Sequence, residues 1–146
     1  MKHLLFLSLI MIQCLFLKGQ TNKALNCKFL EKTVNDPSFQ SAFHSCSDSS
    51  KPLTIIDSCS QFTTCNFITL CGKKINISTE WPRGISPNWD AGNSATDAII
   101  VFKLEAKTEK HYLMHFWRPK TNHTLLFEVW ETKAEVKVKF ISSGDF

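Results

Sequence analysis

Residues 73–81, KKINISTEW, place Ile75, Ile77, Thr79 and Trp81 on one side of an extended chain and Asn76, Ser78 and Glu80 on the other. A period of two is the mark of a strand with one buried and one wet face. Asn76-Ile77-Ser78 is also an N-glycosylation triplet, which requires Asn76 to face water. Both readings turn the same face outward.

The pattern extends in both directions. Ala98–Ala106 sets Ile100, Phe102 and Leu104 against Lys103 and Glu105, and His111–Trp117 is almost wholly apolar or aromatic. Leu125–Trp130 and Val136–Ile141 read as a hairpin around Glu131-Thr132-Lys133, with Val136, Val138 and Phe140 alternating with Glu135, Lys137 and Lys139. Leu53–Ile56 is a short strand, and Cys27–Val34 is open between helix and strand. Residues 82–94, PRGISPNWDAGNS, read as a long loop. Six or seven strands without a long helix predict an all-β domain of two antiparallel sheets packed face to face.

At the start of the chain, Lys2 and His3 precede an apolar run from Leu4 to Leu17, with a small residue, Gly19, at the expected cut. This is the signal-peptide pattern, and the run falls short of the roughly 20 apolar residues that span a bilayer. Residues 1–19 are therefore expected to be removed and residues 20–146 to be secreted as one domain, with no stable membrane insertion. Loss of Lys2 and Lys18 takes the formal charge from +4 to +2. So mild a charge, without a clustered basic face, argues against nucleic acid.

Cleavage also removes Cys14 and leaves Cys27, Cys46, Cys59, Cys65 and Cys71. In an oxidising compartment these read as disulfides, with one thiol over and the pairing open. Cys59, Cys65 and Cys71 lack the paired C-x2-C spacing of zinc modules. His111 and His115 are four residues apart, which on a strand separates them by roughly 13 Å, too far to share an ion. No Gly-x-Ser-x-Gly elbow and no phosphate loop is present. Neither an enzyme, nor a cofactor, nor a metal is expected. A second glycosylation triplet begins at Asn122.

The stretch 46–81, CSDSSKPLTIIDSCSQFTTCNFITLCGKKINISTEW, resembles the ML family of secreted lipid-recognition domains, of the mite group-2 allergen and Toll-like-receptor co-receptor type. The likeness rests on Cys46-x12-Cys59-x5-Cys65, on Leu53, Ile55, Gly72, Ile75 and Ile77, and on the closing segment LLFEVWETKAEVKVKF. It departs in having no cysteine after Cys71, so that Val136 or Val138 stands near the expected partner of Cys46.

The resemblance implies an immunoglobulin-like, disulfide-bonded β-sandwich. On the allergen pattern Cys59 bonds Cys65, with Cys27 to Cys46 and Cys71 free. On the co-receptor pattern Cys27 bonds Cys59 and Cys65 bonds Cys71. It further implies a sterol or fatty acyl chain held between the sheets, for transport or for presentation to a receptor ectodomain. The lining would come from Ile75, Ile77, Trp81, Phe102, Leu104, Phe116, Phe127, Val129, Val138 and Phe140. Lys73, Arg83, Arg118 and Lys120 would be available to a headgroup. The same apolar residues also suit a dry core. The competing expectation is therefore a secreted sandwich that binds a protein or glycan through its surface, with the 82–94 loop as a rim.

Overall fold

The computed structural model describes residues 25–43, 52–62, 65–80, 97–119 and 123–145. The signal segment, Cys46, Trp81, the 82–94 loop, Lys120 and Asn122 lie outside them, as do the side chains of Phe102 and Leu104.

Among the described residues two short helices come first, α1 (Cys27–Val34) and α2 (Pro37–Phe43). Asn26 starts α1 by accepting the Phe29 N–H at 2.9 Å on its side-chain oxygen. Phe29, Leu30, Thr33 and Val34 form its buried face. Asp36 begins α2 in the same way, accepting the Ser38 N–H at 2.8 Å, and Pro37 occupies the first helical position, where no N–H is needed.

Seven strands follow: β1 (Leu53–Asp57), β2 (Phe67–Leu70), β3 (Lys73–Ser78), β4 (Asp97–Thr108), β5 (His111–Arg118), β6 (His123–Glu131) and β7 (Val136–Asp145). The chain is thus strand-rich and disulfide-bonded, as expected, but the layers differ. The described strands form one sheet in the order β2-β3-β1-β4-β5-β6-β7. It is mixed, because β1 runs parallel to both β3 and β4 while the other pairs are antiparallel. The layer that covers its inner face comes from α1 and α2, where a second antiparallel sheet was expected.

Local chemistry shapes the sheet. Cys71 and Gly72 both have positive φ, at 52° and 76°, as a two-residue hairpin turn between β2 and β3 demands. Register shifts in β4 near Lys103 and Ala106, and between β6 and β7 at Leu126/Phe127, add the local bends that let a sheet curl. The curl brings both edges round to the helices, so α1 packs against β2 at one edge and β7 at the other.

The inner face is filled with rings. Phe39 lies 4.8 Å from Phe116, 5.2 Å from Phe127 and 4.7 Å from Phe43, centroid to centroid. Phe29 meets Tyr112 edge-on at 5.4 Å. Rings at these separations and tilts favour one another beyond the burial of their area.

One disulfide joins Cys27 to Cys65. Neither Cys27–Cys46 nor Cys59–Cys65 forms, and the co-receptor pairing of Cys27 with Cys59 is excluded as well. Cys71, expected free on the allergen pattern, is disulfide-bonded, as is Cys59. The physical reason for the pairing is local. Leu25 bridges to Phe62 as a parallel strand would, which lays the start of α1 beside the chain leading to Cys65.

Candidate binding cleft

β1 ends in Asp57, whose side chain falls on the same inward side as Ile55, beside Val101 of the parallel neighbour. The chain then turns sharply. Ser58 donates its N–H to the Val101 carbonyl at 3.2 Å, and the Ser60 N–H returns to the Asp57 carbonyl at 3.2 Å. Ser60 adopts a φ of 52°, a left-handed conformation uncommon outside glycine and asparagine. Asp57 closes the turn through Oδ2, which accepts the Phe62 N–H at 2.8 Å.

Two further ties hold this loop against α1: the Leu25 N–H donates to the Gln61 carbonyl at 3.1 Å, and Cys65 bonds Cys27. The opposite wall is the end of β3. There the Ile77 N–H donates to the Asn66 carbonyl at 2.9 Å, and the Ser78 hydroxyl donates to the Glu80 carbonyl at 2.8 Å. Between the walls lies an open cleft of about 360 Å³, lined by Asp57, Ser60, Phe62, Cys65, Asn66, Ile77, Ser78, Thr79 and Glu80. Its size is at the lower end for small-molecule sites.

Asp57 is the unusual member. It is 1 % exposed, and its Oδ1 has no hydrogen-bond partner. Burial pushes its pKa up, opposed by the backbone N–H groups of Phe62, Gln61 and Cys59. A buried acid with a raised pKa beside a cleft is a functional-site signature. Asp97 makes the contrast. It is equally buried, but Arg118 grips its Oδ2 through Nη2 at 2.6 Å and Nε at 3.1 Å. The Ala98 N–H occupies Oδ1, and the remaining Arg118 nitrogen, Nη1, caps the Phe43 carbonyl at the end of α2.

The residues expected to line a lipid cavity fall in several places. Ile75, Phe116, Phe127 and Val129 do share the inner face, fully or almost fully buried. They pack into the cluster that contains Phe29, Phe39 and Phe43 of the helices. Ile77 and Val138 are half-buried at its margin, and Ile77 also reaches the cleft. Phe140 is 42 % exposed on the edge strand, its ring 5.7 Å from that of Phe127. Phe102 and Leu104 lie on β4, and Trp81 falls outside the described residues. Of the headgroup cations, Lys73 is exposed, whereas Arg118 is 3 % exposed and committed to Asp97. Its position at the end of a strand gave no hint of that burial.

His111 and His115 stand on a strand, as expected, and have separate surroundings. His111 Nε2 meets Glu128 Oε1 at 2.7 Å and stacks on Trp130 at 4.8 Å. Burial lowers the pKa of His115. Asn76 is exposed on the outer face.

The sequence reading missed Asp57, and its signal was slight: an acid closing an apolar strand just before Ser58-Cys59-Ser60. No family model matches the chain, and neither a characterised protein nor a solved structure matches it.

Proposed function

We propose that the chain is a secreted binding protein that engages a glycan or protein partner through its surface, with the Asp57–Glu80 cleft receiving a small polar group of that partner. One observation carries this reading. This open cleft lies among hydroxyl, amide and carboxyl groups, while Ile75, Phe116, Phe127 and Val129, of the residues suited to a lipid, are packed in one cluster with the helix rings. Glu80, Asn66 and Ser60 are exposed at the cleft and offer acceptors and donors to a hydroxylated or cationic group. Phe62 supplies an apolar wall, and Asp57 underlies the floor.

The lipid-carrying reading, with a sterol or acyl chain inside an ML-type clam-shell, is the competitor. Secreted protein from a eukaryotic host separates the two by native mass spectrometry, solvent extraction and a screen of immobilised glycans. The surface reading expects no stoichiometric lipid and a glycan interaction that weakens at least tenfold in Glu80→Ala. A tightly held lipid in one-to-one ratio would return the function to lipid carriage. Glycan binding unchanged in Glu80→Ala would move the site away from the cleft.

A further inference from the structure

Phe67 is 50 % exposed, the most exposed large hydrophobic side chain among the described residues. It stands directly opposite Asn76 in the β2–β3 register. Directly opposed side chains share a face, with Cβ atoms about 4.5–5.5 Å apart. Ile75 takes the inner side of β3 and Ile77 follows it, so Asn76 and Phe67 look outward, away from the helices. Their neighbours on that face are polar: Thr69 and Lys74, with Thr54 across from Asn76 on β1. A half-exposed ring whose directly paired and diagonal described neighbours on that face are polar, beside the asparagine of an Asn-Ile-Ser triplet, is the juxtaposition that matters.

We propose that Asn76 carries an N-linked glycan and that Phe67 is the platform for its first sugar, an N-acetylhexosamine. A pyranose ring presents axial C–H groups on one face, and its acetamide adds a methyl. These groups suit the electron-rich face of a phenyl ring, which already attracts the Lys74 ammonium, 4.0 Å from the ring centroid. The long lysine stem lets that ammonium swing aside for the sugar. The donor is a polyprenyl-diphosphate-linked oligosaccharide. Asn76 Nδ2 attacks its anomeric carbon, an N–C bond forms, and the bond from that carbon to the diphosphate oxygen breaks. Polyprenyl diphosphate leaves, and the amide gives up one proton. The sugar then shields Phe67 from water.

This inference rests on the secretion reading, and the test keeps the two apart. The full chain is expressed in a eukaryotic secretory host, and the product is analysed by intact mass and by peptide mapping after enzymatic release of N-glycans. The expected result is secreted protein with Asn76 converted to aspartate on release. Secreted protein with Asn76 unmodified overturns the glycan alone. A chain retained in the cytosol without glycan overturns secretion and the glycan together. For the platform, endoglycosidase trimming to a single sugar is compared with complete removal, in the parent protein and in Phe67→Ala. The single sugar should raise the melting midpoint by a few degrees in the parent and by nothing measurable in Phe67→Ala. An equal rise in both proteins overturns the role of Phe67.

Discussion

Asp57 and Asp97 are both buried carboxyls on neighbouring parallel strands, and their hydrogen-bond surroundings differ. Asp97 has two guanidinium nitrogens on Oδ2 and the Ala98 N–H on Oδ1, whereas Asp57 has the Phe62 N–H on Oδ2 and no hydrogen-bond partner on Oδ1. For Asp57 the folded state holds its proton more tightly than the unfolded chain does. Its stabilising contribution is therefore complete below the ordinary value of 3.8 and is lost as pH rises through the raised folded value. Asp57→Asn removes that loss while keeping an acceptor for the Phe62 N–H. The difference in unfolding free energy, variant minus parent, should grow in the variant's favour from pH 4 towards neutrality. A difference that stays flat with pH would show that Asp57 is not the group responsible. Asp97 depends instead on its partner. Arg118→Met strands a buried carboxylate and an uncapped Phe43 carbonyl, at a cost of about 3–5 kcal/mol. Adding Asp97→Asn should recover part of that loss in denaturant titrations, and strictly additive losses would refute the coupling.

Among the elements, α1 does two jobs that its eight residues do not advertise. Its inner face fills the curl of the sheet, and its polar side completes the β2 edge. Glu31 accepts the Thr69 N–H at 2.7 Å, Asn35 donates to the Thr69 carbonyl at 2.6 Å, and Asn35 accepts the Cys71 N–H at 3.3 Å. An edge that would otherwise invite another strand is thereby closed. The Cys27–Cys65 bond fixes the start of the same helix to the cleft loop, across 38 residues of sequence. Replacing both cysteines by serine should cost about 3–4 kcal/mol on loop-entropy grounds. It should also speed amide hydrogen exchange at residues 58–66 ahead of the central strands, and uniform acceleration throughout would count against a local staple. Strands β3, β4 and β7 were legible because apolar residues alternate with polar ones in their sequences, although residues 98–101 of β4 are buried on both faces and Phe140 of β7 is exposed. β6 was legible as the other arm of the hairpin. β2 was not: FITL is four residues long and sits between two cysteines. Asp36-Pro37 is a readable helix start, but the seven residues of α2 carry too short a pattern to reveal the helix itself. Alternation reports which face is buried and is silent about which strand lies alongside. The parallel pairing of β1, and with it the position of Asp57 in the lining of the cleft, was for that reason invisible.

At the scale of the whole molecule, the question is what occupies the curl of the sheet. Hydrophobic strand faces demand a cover, and a second sheet, a lipid or a pair of helices would each satisfy that demand. Here Phe39 stands at the centre of the cover, touching Phe43, Phe116 and Phe127 and itself 0 % exposed. If these rings are the core, Phe39→Ala leaves a cavity that rigid neighbours on three sides cannot close. The expected loss is then about 3–5 kcal/mol. If the curl instead holds a lipid, the hydrocarbon can shift into the vacated space, and the same substitution should cost little. Urea denaturation of the parent and Phe39→Ala proteins, each after solvent extraction and again as secreted, reads this directly. A packed interior gives the same large loss in both preparations. A lipid-filled one gives a small loss as secreted, and extraction alone destabilises the parent. The second pattern would overturn both the helix-capped core and the surface-binding function that rests on it.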